Sequence, residues 1–210
     1  MVTREQLEQA MDQRFSKEVY EKFKQARICI AGLGGLGSNI AIMLARSGIG
    51  TLKLIDFDVV DITNLNRQTY RIEHIDRPKT EALREIIGEI NPYIKIEVIQ
   101  KKVTEENLAE LFTGEQLVCE AFYNPEYKAM LVNYLLEQQP ETIVVSGSGM
   151  AGVGSSNRIC TRQKMKRLYV CGDEESDAYA GMGLLSPRVS ICAGHQANML
   201  LRLILGEKES

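Results

Sequence analysis

The sequence lacks long apolar runs and an apolar leader. No stretch of roughly 18 or more apolar residues occurs in the 210-residue chain, so we expect no transmembrane helix. The first residues, MVTREQLEQAMDQRFSKE, are charged and have no apolar core of the kind found in secretory signals. These features together predict a cytoplasmic protein that does not insert into a membrane.

Few residues are suited to holding a metal ion. The five cysteines are widely spaced and form no C-x-x-C pair, which argues against a disulfide framework and a thiolate zinc site. The two histidines, His74 and His195, lie far apart, so we expect no histidine-rich metal site. The net charge of −3 gives no general case for binding nucleic acid or an anionic membrane.

Short β-branched runs alternate with amphipathic segments, a pattern typical of a parallel sheet covered by helices. One apolar stripe, for example, runs along a predicted helix through Leu83, Ile86, Ile87 and Ile90. Strands are predicted at residues 27–31, 51–56, 94–99, 116–121 and 142–146, and helices at about 35–47, 79–90, 125–137 and 190–205.

The last part of the chain follows a different pattern. The segments NRICTRQ and KRLYVCG read as two short strands with no helix between them, which predicts antiparallel pairing there. We therefore expect an α/β fold with a Rossmann-like, doubly wound and mostly parallel sheet, and antiparallel strands in its C-terminal part. The expected organisation is a single domain over residues 1–210 with a helical N-terminal extension at about 1–25.

A glycine turn follows the first predicted strand and opens a helix. Gly32, Gly34 and Gly37 have the G-x-G-x-x-G spacing, which lets backbone amides and a helix N-terminus meet phosphate oxygens. Asp56 ends the second predicted strand, where an acid can accept hydrogen bonds from ribose hydroxyls. A second triplet, Gly147, Gly149 and Gly152, opens no helix, so we interpret it either as a plain turn or as a loop lining the pocket.

The residues after Asp56 favour a triphosphate over a dinucleotide. Asp58, Asn64, Arg67 and Lys79 follow in the segment DFDVVDITNLNRQTYRIEHIDRPK. Two cations and an amide beside a phosphate-binding turn suit a substrate whose charge rises during displacement at phosphorus. The alternative is an NAD-dependent oxidoreductase, which the glycine turn and Asp56 support, but the chain offers no convincing acid or base for hydride transfer.

The motifs GLGGLGSN, DFDVVDITNLNRQ, RPK, INP, SGSGMAG and GLLSPRVSICAGHQANMLLRLILG resemble the ThiF/MoeB/HesA family over about residues 12–206. These proteins are the bacterial relatives of ubiquitin-activating enzymes. The chain looks most like the short, zinc-free family-2 ThiF adenylyltransferases of thiamine biosynthesis. The resemblance implies adenylation, with ATP and Mg²⁺, of the C-terminal Gly-Gly carboxylate of a ubiquitin-like sulfur carrier protein, without zinc.

The resemblance also implies roles for individual residues. Asp56 would hold the ribose, and Arg14 would reach into the active site of the neighbouring subunit, so the protein would be a homodimer. Arg67 and Lys79 would act with Arg14 in catalysis. The remaining nucleotide-binding positions would be Gly32, Gly34, Gly35, Gly37, Asp58 and Asn64.

One departure from the family pattern bears on catalysis. In the segment CEAFYNPEYK, Glu120 stands at the first of two expected acidic positions, and Tyr123 stands at the second. A tyrosine does not replace a carboxylate as a ligand of a hard cation near neutral pH. Glu120 is then the candidate Mg²⁺ ligand, with Glu126 as the other acid that could compensate, and the alternative is a nucleotide-binding protein with degenerate catalysis. Cys171 is the best candidate for a sulfur-transfer thiol, although a buried structural thiol is the simpler interpretation.

Overall fold

Seven strands form one mixed sheet in the computed structural model, which describes residues 2–177 and 181–209. The strand order is β3-β2-β1-β4-β5-β7-β6, and every neighbouring pair is parallel except β6 with β7. The strands are β1 Arg27–Ala31, β2 Thr51–Ile55, β3 Lys95–Ile99, β4 Leu117–Glu120, β5 Ile143–Gly147, β6 Cys160–Met165 and β7 Leu168–Gly172. The predicted fold class is confirmed.

The pairing of β7 refines the prediction for the end of the chain. β7 is antiparallel to β6, as the sequence indicated, but it pairs in parallel with β5 through Val144 opposite Leu168 and Gly147 opposite Cys171. The chain therefore passes from β5 to the edge strand β6 and returns beside β5. Only β6 runs against the direction of the other described strands.

Seven α-helices surround this sheet in the described part of the chain. They are α1 Arg4–Asp12, α2 Lys17–Gln25, α3 Gly35–Arg46, α4 Lys79–Ile90, α5 Leu108–Phe112, α6 Pro125–Gln138 and α7 Ser186–Ile204. The first two helices precede β1, and Thr3 and Ser16 accept N-cap hydrogen bonds at the starts of α1 and α2. None of the described helices has the length and hydropathy that crossing a membrane requires.

The helix boundaries differ from the predictions at two places. α7 begins at Ser186 rather than at residue 190, because Pro187 occupies its first turn, where a missing backbone N–H costs nothing. α5 was not predicted, since its five residues are too few to show a helical period. Its apolar side chains, including Phe112, are nevertheless buried against the sheet.

Apolar side chains fill the space on both faces of the sheet. One cluster joins β-strand residues such as Ile30 to Leu44 of α3 and Leu200 of α7. The other joins Val118 of β4 to Leu131 and further residues of α6. The connections after β1 and β4 leave the sheet toward opposite faces, and this divergence creates a crevice at the carboxyl ends of the two strands.

Candidate active site

A cavity of about 520 Å³ occupies this crevice at the carboxyl ends of the parallel strands. The loops that follow β1, β2, β3, β4 and β5 all contribute to its lining. Eight of the residues predicted from the sequence line it: Gly32, Gly34, Gly35, Asp56, Asp58, Asn64, Arg67 and Lys79. The topology thus collects residues that are up to 47 positions apart in the chain (79 − 32) into one site.

The glycine turn is built around backbone contacts that exclude side chains. Gly32 has φ +91°, and a Cβ there would lie 2.8 Å from the carbonyl oxygen of Ala121. A Cβ at Gly37 would lie 1.8 Å from the carbonyl oxygen of Gly32, so Gly37 brings α3 against the turn instead of lining the cavity. Gly34 borders open space, with its nearest potential contact 3.9 Å away at Gln68 Nε2. The start of α3 therefore presents its amides to the cavity.

Asp56 joins the glycine turn to the loop after β2. Its Oδ2 accepts a hydrogen bond from the Leu33 N–H at 2.6 Å, and its Oδ1 accepts one from the Asp58 N–H at 2.8 Å. The carboxylate is 9% exposed, and burial raises its pKa. Asp56 lines the cavity where a ribose contact is predicted, with its orientation already set by two backbone donors.

Arg67 and Lys79 come from the connection between β2 and α4. Lys79 Nζ lies 3.0 Å from Asp58 Oδ2, and its side chain is 8% exposed, so the ammonium is held in place at the start of α4. Arg67 Nη1 donates to Thr63 O at 3.1 Å and to Asn66 Oδ1 at 2.7 Å. The Nε of Arg67 is buried and has no acceptor among the residues that the structure describes.

Two asparagines organise this wall of the cavity. Asn39 Nδ2 donates to Gly35 O at 2.7 Å and to Arg67 O at 3.0 Å, which fixes Arg67 next to the glycine turn. Asn64 Oδ1 accepts a hydrogen bond from the Asp61 N–H at 3.1 Å, within the short helical turn Ile62–Asn64. The sequence predicted Asn64 but not Asn39, which acts through the backbone.

The opposite wall carries lysines that the sequence reasoning did not identify. Lys101 and Lys102 follow β3, and Lys128 lies in the second turn of α6; all three line the cavity. Lys102 Nζ lies 5.8 Å from the ring centroid of Phe57 and 5.0 Å from that of Tyr127. Lys101 and Lys102 could have been identified from their position in the sequence. A basic pair that follows a parallel strand lies at the edge of the sheet where the other parallel strands also end.

Glu120 is fully buried at the end of β4 and does not line the cavity. Its Oε1 accepts from the Phe122 N–H at 2.7 Å, while its Oε2 accepts from Ser146 Oγ at 2.5 Å and forms an ion pair with Lys128. Both oxygens thus have donors within the protein. The predicted role of Glu120 as a Mg²⁺ ligand gains no support from this placement. Among the described residues, no three His, Cys, Asp or Glu side chains are grouped as a metal site.

Two glycines of the second triplet line the cavity and the third, Gly152, does not, so the loop after β5 contributes to the pocket. Gly147 and Gly149 line it, and Gly149 has φ +80° with a potential Cβ only 2.2 Å from Asp173 Oδ1. Asp173 forms a buried ion pair with Arg188, the residue after Pro187 in α7. Burial opposes its ionisation, but hydrogen bonds from Ser176 and Glu175 and the Arg188 charge lower the pKa of Asp173 to about 2.

Two other predicted residues lie outside the cavity lining. Arg14 is exposed between α1 and α2, and its predicted role in a neighbouring subunit stays a prediction. Cys171 has no exposed surface, and burial raises the pKa of its thiol to about 11, although Thr161 Oγ1 lies 3.4 Å away as a hydrogen-bond partner. This environment matches the structural interpretation of Cys171, because the reactive form of cysteine is the thiolate.

Comparisons with known proteins agree with the fold. A family model described as the ThiF family matches residues 7–210. A tRNA threonylcarbamoyladenosine dehydratase of Haemophilus influenzae is 36% identical over 137 residues, which cover 64% of this chain and 52% of that protein. A molybdopterin-synthase adenylyltransferase of Salmonella typhimurium is 28% identical over 196 residues, which cover 90% of this chain and 77% of that protein.

A solved structure with the same fold holds a nucleotide. The crystal structure of E. coli tRNA N6-threonylcarbamoyladenosine dehydratase in complex with ATP has a TM-score of 0.85 and 23% identity, covering 98% of this chain and 97% of that one. The chain spans about half the length of the H. influenzae dehydratase. Since the family model extends over nearly all of its residues, the chain belongs to the ThiF family.

Proposed function

We propose that the protein is an ATP-dependent adenylyltransferase that activates a carboxylate. The observation that carries the proposal is the position of Arg67 and Lys79 beside the glycine turn, in the cavity that Asp56 also lines. Two cations beside the glycine turn suit a triphosphate whose charge rises during displacement at phosphorus. The ATP-bound dehydratase structure of the same fold and the adenylyltransferase relative support this assignment.

The reaction requires positioning and charge neutralisation more than proton transfer. A carboxylate is ionised near pH 7, so its oxygen attacks the α-phosphorus without a general base. The new O–P bond forms as the bond from the α-phosphorus to the bridging oxygen breaks, which yields an acyl adenylate and pyrophosphate. Arg67 can clamp phosphate oxygens in two places, and Lys79 supplies a compact charge to the departing pyrophosphate.

The proposed substrate is the C-terminal Gly-Gly carboxylate of a ubiquitin-like sulfur carrier protein, in thiamine biosynthesis as the sequence resemblance implies. Two terminal glycines have no side chains, so such a tail can enter a crevice already occupied by a nucleotide. Mg²⁺ would accompany the ATP, and no zinc is proposed. The assembly proposed from Arg14 is a homodimer with shared sites, built from a chain that is one nucleotide-binding domain with a helical N-terminal extension.

A second candidate substrate is a tRNA nucleoside. The observation in its favour is the 36% identity to a tRNA threonylcarbamoyladenosine dehydratase over 137 residues. Against it stands the net charge of −3, because tRNA binding usually requires a basic surface. Arg162 and Lys164 of β6 do not supply one, since both pair with Glu174.

The test is ATP–pyrophosphate exchange, measured with a Gly-Gly-terminated carrier, with the same carrier lacking its last two residues, and with tRNA. Arg67→Ala is expected to lower the exchange by at least about 100-fold, since it removes a transition-state cation. Arg46→Ala changes an exposed arginine of the same chain outside the cavity lining and serves as the matched control.

Each outcome supports one functional assignment. Exchange that requires the Gly-Gly tail and is lost in Arg67→Ala supports the proposal, and tRNA-dependent exchange replaces the carrier with the second candidate. ATP binding without exchange under any condition supports the degenerate alternative. Binding of NADH without binding of ATP would overturn the adenylyltransferase assignment.

A further inference from the structure

The wall of the cavity between β4 and α6 carries an ammonium group in place of an acid. Tyr123 occupies the position at which the sequence resemblance implies an aspartate, and its side chain is 55% exposed at the cavity lining. Lys128, four residues after Asn124, lines the same wall. On this side the lining therefore presents an ammonium, whose charge is compensated by the buried Glu120, at a wall where the resemblance implies a metal-holding aspartate.

The Lys128 ammonium is anchored from behind. It forms an ion pair with Glu120, whose other donors are the Phe122 N–H and the Ser146 hydroxyl. Glu120 has no exposed surface, while the Lys128 side chain is 24% exposed. An ammonium has three N–H bonds, so a single carboxylate leaves donors for a second anion. Glu120 is thus suited to position Lys128 and not to bind a ligand itself.

This wall does not fit a metal ion held by the protein. Both oxygens of Glu120 already accept hydrogen bonds, and a neutral phenol is a poor ligand for a hard cation. The carboxylates in the lining are Asp56, Asp58 and Asp177. Asp56 accepts two backbone N–H groups, and Asp58 pairs with Lys79 on the other side of the crevice. The described residues contain no grouped set of three metal-ligating side chains.

We infer that Lys128 binds the phosphate chain of the nucleotide directly and supplies the positive charge that an aspartate-held metal ion would otherwise bring to this wall. The inference rests on the proposed function, since it assumes a nucleoside triphosphate in the cavity. Arg67 and Lys79 then contact the phosphates from one side, and Lys128 contacts them from the other. Because the protein contributes this charge itself, its affinity for ATP depends little on divalent cations.

The decisive variant must remove the Lys128 charge without leaving Glu120 unpaired. Lys128→Met alone would leave a buried, uncompensated carboxylate and risks misfolding. The double variant Glu120→Gln/Lys128→Met removes both charges and retains an amide that can bond to Ser146 and Phe122. Lys128→Arg retains the charge. Lys22→Met, which breaks the exposed Lys22–Glu18 pair on α2, controls for the loss of one lysine.

The measurement is the dissociation constant for ATP by calorimetry, with excess EDTA and with Mg²⁺, on variants whose folding is verified by thermal denaturation. In EDTA the double variant is expected to bind ATP about 10- to 100-fold more weakly than the wild type, the range for one charged hydrogen bond. Lys128→Arg and Lys22→Met are expected to stay within about threefold of the wild type.

The results separate the inference from the proposed function. A folded double variant that binds ATP as tightly as the wild type in EDTA overturns the role of Lys128 but leaves the adenylyltransferase intact. If the wild type binds ATP in Mg²⁺ but not in EDTA, the proposed role of Lys128 is overturned as well. A wild type that binds no ATP with or without Mg²⁺ overturns the proposed function itself.

Discussion

The carboxylate of Asp173 and the guanidinium of Arg188 form a buried ion pair behind the cavity and connect the end of β7 to the first turn of α7. The same guanidinium donates to Gly154 O at 2.6 Å and to Ser155 O at 2.8 Å. Asp173 also accepts the Ser176 N–H at 2.8 Å. The pair therefore holds three loop segments around the second glycine triplet, and it determines the shape of one cavity wall.

This ion pair predicts an acid-dependent loss of stability. The pKa of Asp173 is lowered from 3.8 to about 2 in the folded protein, so its contribution is fully present above the unfolded value and disappears as the pH falls through about 2. The difference corresponds to about 2 kcal/mol of unfolding free energy. Urea denaturation of the wild type and Asp173→Asn at pH 5 and pH 2 measures it.

Comparison with Asp173→Asn removes the contribution of all other acidic residues to the pH dependence of stability. Carboxylates such as Glu97, whose pKa is also about 2, lose their contributions in both proteins and cancel in the comparison. The wild type is expected to lose about 2 kcal/mol more than Asp173→Asn between the two pH values. Equal losses in the two proteins would mean that Asp173 is not stabilised as an anion.

Gly32 is a residue of the glycine turn whose backbone conformation and surroundings are both unsuited to a methyl group. Alanine there must adopt φ +91° and approach the Ala121 carbonyl oxygen at 2.8 Å. Gly32→Ala is expected to reduce the unfolding free energy by more than about 1 kcal/mol, because the native backbone is unsuited to a side chain. ATP affinity should fall as well, since the amides at the start of α3 would be displaced.

Gly88 offers a matched control on α4. A Cβ there would meet no heavy atom within 4 Å, and its helical backbone suits alanine. Gly88→Ala is expected to raise the unfolding free energy by about 0.5–1 kcal/mol and to leave ATP affinity unchanged. Denaturant titration and calorimetry of both variants test the pair. If Gly32→Ala and Gly88→Ala change the unfolding free energy and the ATP affinity to a similar extent, the close approach at Gly32 does not prevent a side chain there.

The sequence predicted the parts of the site that come from contiguous motifs. The glycine turn, Asp56 and the segment from Asp58 to Lys79 were recognisable because their residue types and short spacings have direct chemical meanings. The bounds of α4 also matched the prediction, since its apolar stripe is regular and Pro78 precedes it.

The missed residues depend on contacts between distant segments. Lys128 looks like a solvent-facing helix residue until Glu120 is seen to be buried beside it, which depends on how α6 packs on β4. Asp173 and Arg188 are 15 positions apart, in segments whose proximity follows only from the return of β7 beside β5. A local pattern carries no information on such pairings.

A substitution at Tyr123 should make ATP binding depend on Mg²⁺. Tyr123→Asp places a carboxylate on the wall that Lys128 shares, and like charges repel the phosphates of ATP when no metal ion is present. In EDTA the variant is expected to bind ATP about tenfold more weakly than the wild type, the equivalent of about 1.4 kcal/mol. Added Mg²⁺ should restore the affinity, because a hard cation binds carboxylate and phosphate oxygens together.

Tyr123→Asn separates charge from shape in this experiment. Asparagine has nearly the same size as aspartate and lacks the negative charge. The ATP affinity of Tyr123→Asn should therefore be similar with and without Mg²⁺. Calorimetry with each variant in EDTA and in Mg²⁺ gives the four values needed. If Tyr123→Asp and Tyr123→Asn respond to Mg²⁺ in the same way, position 123 does not face the phosphates.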